Sequence, residues 1–277
     1  MTIPSSFPDP RNALTEPNGL LCQGGNLNSD TLLDAYTHGI FPWFNEGEPI
    51  LWWSPDPRFV IDENSFRLSR SLRKTIRRNF EDAGDLLSTT NRPTGETLEL
   101  ASLKPPELAD KVFRITCDSA FNDVIVQCAT NRHEGTWISP AMIDAYKRLF
   151  REGYAHSVEL WREQELIAGF YGIAIGTTFC GESMFTKISD GSKICFAIGA
   201  SQLFRWGYKL IDCQIKGHFL AQFGGYEQAR EEFLSRLVHG IREQAALSNL
   251  LTRPKTVPAE AQSPVHCQNW HRNWLSY

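Results

Sequence analysis

Hydrophobic residues recur at helical spacing in two long segments of the chain. The segment SPAMIDAYKRLFREG begins with Ser139 as a cap and Pro140 at the first helical position, and it ends at Gly153. These residue types are typical of helix ends. Its apolar residues form one stripe: Met142, Ile143, Tyr146, Leu149 and Phe150. A second helix is predicted in SKICFAIGASQLFRWGYK, closing at Gly207.

Alternating or continuous apolar runs predict four strands in the same part of the chain. HSVELW alternates, ELIAGFYGIAI and TTFCGESMF are apolar runs punctuated by glycines, and KLIDCQI is predicted to be a buried strand. Their order indicates consecutive antiparallel neighbours, after which a helix crosses over to one more strand. We therefore predict an α/β (α+β) fold with a mixed, largely antiparallel sheet.

Two segments lack a sustained apolar period. Residues 81–110 mix acids, threonine, glycine and proline, which predicts a surface insertion, and residues 252–277 are predicted to form an extended tail. The tryptophans cluster earlier, in GIFPWFNEGEPILWWSPDPR. We predict a small N-terminal domain over residues 1–64 that carries this Trp-rich segment, and a second domain over residues 65–277.

Composition narrows the function classes. The 277 residues are 42% hydrophobic and carry a formal net charge of -4, so binding to nucleic acid would need a local basic patch. The seven cysteines are scattered and never form C-x-x-C, which argues against a disulfide framework and against a zinc knuckle. The chain begins without a signal-peptide pattern, and its longest uncharged run is too short and glycine-rich to span a membrane. We expect a cytoplasmic protein that does not bind membranes.

A local basic patch is present in RLSRSLRKTIRRNF. Its cations are Arg67, Arg70, Arg73, Lys74, Arg77 and Arg78. At helical spacing, one side carries Arg70, Arg73, Lys74 and Arg77, and another carries Leu72, Ile76 and Phe80. A solvated charged face is the usual explanation of such a run. The density of cations without a compensating acid favours contact with a nucleic-acid backbone.

Three polar residues in predicted strands are candidates for chemistry. Asp212 and Gln214 are two positions apart, so in an extended strand they project from one face. Asp212 could accept a proton from an attacking amine or orient it, and Gln214 could hold a hydrogen bond beside it. A buried aspartate that caps a turn is the commoner fate of such a pair. Glu182 lies in FCGESMF, where it needs either an ion-pair partner or an amine bound in a cleft.

Seven sequence blocks together resemble one known family. EPNGLLCQGGNL, YTHGIFPWF, ILWWSPDPR, EGTWI, AHSVELW, FCGESMF and KLIDCQ are similar to successive signature blocks of the leucyl/phenylalanyl-tRNA-protein transferases. The similarity covers about residues 16–80 and 112–214, in the order of the family.

This resemblance implies an aminoacyltransferase of the bacterial N-end rule pathway, located in the cytoplasm. Such an enzyme moves Leu or Phe, and Met less well, from aminoacyl-tRNA to the N-terminal Arg or Lys of a protein, which marks that protein for degradation. The implied fold is a small N-terminal domain followed by a GNAT-like acyltransferase domain. The resemblance implies no metal and no dissociable cofactor.

The resemblance also implies roles for individual residues. Trp43 would be a stacking platform for the terminal adenosine of the tRNA, with Trp137 nearby. Asp212 and Gln214 match the family's catalytic pair, and Glu182 matches its active-site acid. The aminoacyl side chain would enter an apolar pocket formed by Phe170, Phe179, Phe196, Gly199 and Ile211.

Several positions depart from the family pattern. Phe219 and Gln222 stand where the family has a histidine and a serine, and Phe170, Phe196 and Gly199 redistribute bulk in the implied pocket. These departures affect donor preference more than reaction type. Two other classes stay open: a GNAT-like N-acyltransferase that uses an acyl-CoA, and a non-catalytic homologue that binds aminoacyl-tRNA. The weak glycine loop in TKISDGSK argues against the first, and the retained acids argue against the second.

Overall fold

The computed structural model of the chain describes residues 6–80, 113–130 and 136–251. The predicted insertion at 81–110 and the predicted tail at 252–277 lie outside these residues. Three short strands form a small antiparallel sheet: β1 (Leu20–Gln23), β2 (Phe41–Pro42) and β3 (Leu51–Trp53). Strand β3 lies in the middle of this sheet and carries two of the tryptophans.

The larger sheet has seven strands: β4 (Arg58–Asp62), β5 (Phe113–Cys117), β6 (Ala155–Arg162), β7 (Glu165–Ile175), β8 (Thr178–Thr186), β9 (Leu210–Asp212) and β10 (Tyr226–Gln228). Their order is β10-β4-β9-β8-β7-β6-β5. Strands β8 and β9 pair in parallel and the other neighbours are antiparallel. The predicted mixed, largely antiparallel sheet is thereby confirmed. The predicted domain boundary follows residue 64, so β4 belongs by sequence to the predicted first domain but lies within the larger sheet.

Seven helices accompany these sheets in the described part of the chain: α1 (Ser29–Thr37), α2 (Arg70–Asn79), α3 (Phe121–Thr130), α4 (Pro140–Arg151), α5 (Gly191–Arg205), α6 (His218–Ala221) and α7 (Arg230–Leu251). The predicted ends of α4 are confirmed, because the Ser139 hydroxyl accepts a hydrogen bond from the Met142 amide and Gly153 follows the helix with φ of 83°. Helix α5 is the predicted crossover between β8 and β9.

The two faces of the larger sheet pack against different helices, because alternate residues of each strand point to opposite sides. Phe170 on β7 belongs to the core that includes α2 and α5. Its neighbour Tyr171 belongs to the core that includes α1, α3, α4 and α7. Trp52 of the small sheet is buried in this second core, which joins the small sheet to the larger one.

The parallel pair β8 and β9 opens at one end. These strands pair from Thr178 to Cys180, after which β9 ends at Asp212 while β8 continues to Thr186. The predicted strand KLIDCQI is therefore wrong beyond Asp212, because Gln214 takes a left-handed conformation with φ of 63°. The diverging chains leave a gap beside β8.

Candidate active site

A cavity of about 310 Å³ occupies the gap beside β8. Residues 181 to 184 of β8 line one wall, and residues 213 to 215, just after β9, line another. The structure brings together most of the residues predicted to form the site: Trp43, Trp137, Phe170, Phe179, Glu182, Phe196, Ile211 and Gln214. A cavity of this size with mostly apolar walls and a few polar groups is typical of a small-molecule site.

Glu182 is the carboxylic acid of the cavity wall, and three side chains hold it in place. The Tyr36 hydroxyl lies 2.7 Å from Glu182 Oε1, and the Tyr146 hydroxyl lies 2.9 Å from Glu182 Oε2. The Gln214 side-chain amide donates to Oε1 at 2.9 Å. The two tyrosine hydroxyl oxygens are themselves 2.5 Å apart.

The electrostatic setting of Glu182 disfavours its charged form. Burial of the carboxyl group raises the pKa of Glu182 to about 7, and the charge of Asp212 acts in the same direction. Where Tyr36, Tyr146 and Gln214 donate to the ionised carboxylate, their hydrogen bonds act in the opposite direction but do not offset the burial. Burial also raises the pKa of both tyrosines well above their usual value. A carboxyl group with a pKa near neutrality in a cavity is a frequent feature of functional sites.

Asp212 lies behind the cavity rather than on its wall. Its carboxylate accepts hydrogen bonds from Arg58 Nε at 2.8 Å and from Arg58 Nη2 at 2.7 Å. Both side chains of this ion pair are about 1% exposed. The Gln214 backbone amide donates to Asp212 Oδ1 at 2.9 Å. The predicted shared strand face of Asp212 and Gln214 is wrong, because the strand ends between them and the two side chains occupy different places.

The predicted aromatic platform lies at the mouth of the cavity. Trp43 is 41% exposed and lines the cavity together with Trp137. The Trp53 ring packs against Trp43 with centroids 5.6 Å apart, and its indole N–H donates to the Trp43 carbonyl oxygen at 2.6 Å. An exposed indole that packs against a second, hydrogen-bonded indole is a suitable surface for a stacked base.

The predicted basic helix is α2. Leu72, Ile76 and the following Phe80 are buried, as the helical spacing predicts. The opposite side forms a shallow surface depression lined by Arg70, Arg73, Lys74, Arg77 and Arg78. Among the residues that the structure describes, no ion pair involves the first four of these cations. The face is separate from the cavity.

Gly199 was expected in the aminoacyl pocket but does not line the cavity. It lies on α5 directly behind the Phe170 ring, where an added Cβ atom would be 2.6 Å from Phe170 Cζ. Phe170 in turn packs near Phe196, with ring centroids 5.7 Å apart. The absence of a side chain at Gly199 therefore leaves the space against α5 that the Phe170 ring occupies while it lines the cavity.

The two departures Phe219 and Gln222 lie on and just after α6. The Phe219 ring packs against Phe223 and Phe196, with centroid distances of 5.4 Å and 6.2 Å. The Gln222 side chain donates to the His218 carbonyl oxygen at 3.3 Å. Phe219 thus contributes apolar packing behind Phe196 in place of a polar ring.

Sequence reasoning missed three polar residues of this site. Tyr36 lies in the block YTHGIFPWF, Tyr146 was assigned to an apolar helical stripe, and Arg58 ends the block ILWWSPDPR. A tyrosine with a fully buried hydroxyl needs a polar partner, and that requirement was the available signal for Tyr36 and Tyr146.

In the described part of the chain, no helix combines the length and apolar character needed to cross a membrane.

Comparisons with known proteins agree on one family. The family model for "Leucyl/phenylalanyl-tRNA protein transferase" matches residues 98–238, and the model for its N-terminal domain matches residues 25–56. A protein of that name from Salmonella paratyphi A is 42% identical over 252 residues, covering 91% of this chain and 93% of the relative. Another from Cellvibrio japonicus (strain Ueda107) is 43% identical and covers 84% of this chain and 86% of the relative.

Likeness to solved structures is weaker. A GCN5-related N-acetyltransferase from Kribbella flavida is 10% identical with a TM-score of 0.32, covering 70% of this chain and 58% of that chain. A likeness of this strength supports no conclusion about fold or function. The GNAT-like character of the second domain stays a prediction.

Proposed function

The chain belongs to the leucyl/phenylalanyl-tRNA protein transferase family and is an aminoacyltransferase, and we propose that it moves Leu or Phe, and Met less well, from aminoacyl-tRNA to the N-terminal Arg or Lys of acceptor proteins. The observation that carries this proposal is the cavity of about 310 Å³ that combines apolar walls, the carboxyl group of Glu182 and an exposed tryptophan at its mouth. An aminoacyl-adenosine has the matching parts: a side chain, an α-amino group and a base.

The apolar walls account for donor selection. Phe170, Phe179, Phe196 and Ile211 surround the space in which the aminoacyl side chain would lie. Burying a Leu or Phe side chain contributes about 1.5–3 kcal/mol, whereas a charged side chain would lose its hydration without finding a partner there. Glu182 would then face the α-amino group of the donor.

Two features support binding of the tRNA itself. The exposed Trp43 indole, with Trp137 nearby, would stack on the terminal adenosine, and such stacking contributes about 1–3 kcal/mol per base. The cations of α2, which include Arg70, Arg73, Lys74 and Arg77, would contact the backbone of the acceptor stem. Backbone contacts position a nucleic acid without reading its sequence.

The reaction needs little beyond positioning, because the ester between amino acid and ribose is already activated. The neutral α-amine of the acceptor attacks the ester carbonyl carbon, a C–N bond forms, and the C–O bond to the ribose breaks. The attacking nitrogen loses one proton, and the departing ribose oxygen gains one. Holding the two reactants in line supplies much of the rate enhancement.

We propose that Gln214 contacts the reacting groups and that Asp212 acts through it. The Asp212 carboxylate is occupied by Arg58 and by the Gln214 backbone amide, which supports a positioning role rather than direct proton removal. The left-handed backbone at Gln214 directs its side chain to Glu182. Asp212 would thus fix the conformation that brings Gln214 to the cavity.

The cellular setting follows from the family resemblance. We propose a cytoplasmic enzyme of the N-end rule pathway, whose products are proteins marked for degradation by a new N-terminal Leu or Phe. We propose that it uses no metal and no dissociable cofactor.

Transfer from labelled aminoacyl-tRNA tests the function. The purified protein is incubated with Leu-, Phe-, Met- or Arg-tRNA and with matched peptides that begin with Arg, Lys or Asp. We expect transfer of Leu and Phe, less of Met, to the Arg and Lys peptides. Equal use of Arg-tRNA would contradict the apolar pocket, and equal labelling of the Asp peptide would contradict the assigned acceptor. Labelled acetyl-CoA serves as the control for an acyl-CoA-dependent enzyme, and we expect no transfer from it.

A further inference from the structure

Tyr36, Tyr146 and Glu182 form a closed ring of three oxygen-to-oxygen contacts. The contacts measure 2.5 Å between the two hydroxyl oxygens, 2.7 Å from Tyr36 to Glu182 Oε1, and 2.9 Å from Tyr146 to Glu182 Oε2. All three distances lie within hydrogen-bond range. Each contact therefore requires one proton.

Counting protons distinguishes the two forms of Glu182. Each tyrosine hydroxyl carries one proton, and an ionised carboxylate carries none. Two protons cannot serve three contacts, so an ionised Glu182 leaves two oxygens facing each other without a proton between them. A protonated carboxyl group supplies the third proton, and every contact in the ring is then a hydrogen bond. The Gln214 amide donates to Oε1 in either case.

We propose that the ring of Tyr36, Tyr146 and Glu182 holds one carboxyl proton in the free protein, and that this proton is released to solvent when the ammonium group of an aminoacyl donor binds in the cavity. The inference rests on the proposed function for the identity of the ligand. The O–H bond of Glu182 breaks, the proton passes to water or buffer, and the carboxylate that remains pairs with the bound ammonium group.

Among the residues that the structure describes, the other ionisable groups around Glu182 do not supply an alternative counter-ion. Arg58 is the nearby cation, but both oxygens of Asp212 already engage it. Asp212 is a negative charge that opposes a second one at Glu182, and Cys180 and Tyr171 are buried neutral groups next to this cluster. Burial raises the pKa of Glu182 to about 7, which agrees with the proton count.

The ring would make the cavity selective for an amine. Without a ligand, the cavity wall carries a neutral carboxyl group, which avoids a partly buried charge without a partner. With an ammonium group present, ionisation is compensated by the ion pair. A ligand of the same shape that lacks the amino group would leave the proton in place.

Infrared titration of the ligand-free protein tests the first half of the proposal. The C=O band of a protonated carboxylic acid should be present at about pH 6, below the pKa of about 7. It should be weaker in the Glu182→Gln spectrum by the contribution of one acid, while the contribution of Glu159, whose pKa is also raised to about 7, remains. Tyr146→Phe breaks the ring but keeps the donor from Tyr36. We expect the titration midpoint of the Glu182 component, obtained by subtracting the spectrum of the matching Glu182→Gln variant, to fall by about one pH unit in Tyr146→Phe, since the neutral form loses the hydroxyl oxygen that accepts its carboxyl proton.

The opposite shift would overturn the ring. If Tyr146 served only as a hydrogen-bond donor to a carboxylate, its removal would raise the midpoint instead. A midpoint that rises or stays unchanged therefore contradicts the proposal, as does an acid band at about pH 6 that is the same in the wild-type protein and in Glu182→Gln.

Calorimetric titration tests proton release. The ligands are an unreactive 3′-phenylalanylamide of adenosine and a matched analogue without the α-amino group, each measured near pH 6 in buffers with different ionisation enthalpies. We expect release of about one proton with the amine ligand, because its amino group is protonated at this pH, and none with its analogue. Glu182→Gln should release none with either ligand. Binding of the amine ligand without proton release would overturn the proposal, whereas a failure of both ligands to bind would instead contradict the proposed function.

Discussion

The Arg58–Asp212 ion pair allows a sharp test of how the site is held together. Arg58→Met removes the guanidinium group, which lies 4.8 Å from the Phe41 ring centroid and 4.6 Å from that of Phe233. The methionine retains an apolar stem between the two rings. Asp212, which is fully buried, then keeps the Gln214 backbone amide as a hydrogen-bond donor but loses its cation.

The expected cost follows from the burial of the pair. Removing one partner of a buried ion pair costs about 3–5 kcal/mol of unfolding free energy, because the other charge is left without compensation. Arg58→Met combined with Asp212→Leu removes both charges, so this double variant should lie within about 1 kcal/mol of wild type or be more stable. The double variant should still transfer about 10²-fold more slowly, because Gln214 loses the carboxylate that holds its backbone.

Urea unfolding followed by tryptophan fluorescence measures these free energies. Lys216→Met is the matched control, because Lys216 forms an exposed ion pair with Glu227 at 2.7 Å, and its loss should cost at most about 1 kcal/mol. If Arg58→Met costs no more than Lys216→Met, the buried pair does not stabilise this part of the fold. If the stable double variant transfers at the wild-type rate, the positioning role of Asp212 is refuted.

Three further predictions concern the pocket, the basic helix and pH. Gly199→Ala should push the Phe170 ring into the cavity and raise the Leu-to-Phe transfer ratio by about tenfold, as measured with equal amounts of the two charged tRNAs; an unchanged ratio would show that the ring yields elsewhere. The second variant neutralises three cations of α2: Arg70→Ala, Arg73→Ala and Arg77→Ala. It should weaken binding of every accepted tRNA alike and reduce the salt-dependence slope by up to about three, and a filter-binding series in salt would contradict this if the slope stayed the same. Burial raises the pKa of Glu159 from 4.5 to about 7, so the native state binds more protons between these values and stability should fall as pH rises through this window. Glu159→Gln should flatten that dependence in urea unfolding, and an equally steep dependence in the variant would refute the assignment.

Local sequence signals were sufficient to predict much of the larger sheet and the helix that crosses over between β8 and β9. The predicted helix after Ser139 ends where its proline, serine and glycine predict, because caps act within one helical turn. The glycine-punctuated runs from residue 165 to 186 form two neighbouring antiparallel strands. The family was also recognised from the sequence, since its blocks are long and occur in order.

The contacts that decide the chemistry could not be predicted in the same way. Arg58 and Asp212 are 154 residues apart, and neither local pattern contains information about the other. Gln214 is left-handed although its neighbours continue an apolar run, so the period-two argument placed its side chain on the wrong face. Tyr146 fits the apolar stripe of α4 whether its hydroxyl is a core group or a hydrogen-bond partner of Glu182, so the helical pattern does not distinguish the two roles. Each of these features is set by tertiary packing.

We propose that the aminoacyl group of the donor occupies the cavity beside β8. Gly181 lines this cavity, and among the described residues outside its chain neighbours an added Cβ atom would approach only the Asp212 carbonyl oxygen, at an ordinary 3.6 Å. Gly181→Val should therefore fold and fill part of the cavity without altering α2 or Trp43.

Single-turnover transfer from Phe-tRNA to an Arg-initiated peptide, measured alongside filter binding of uncharged tRNA, tests where the aminoacyl group binds. We expect Gly181→Val to lower the transfer rate by at least about 10²-fold while binding of the uncharged tRNA stays close to wild type. Transfer at the wild-type rate by a folded Gly181→Val protein would show that the aminoacyl group binds elsewhere.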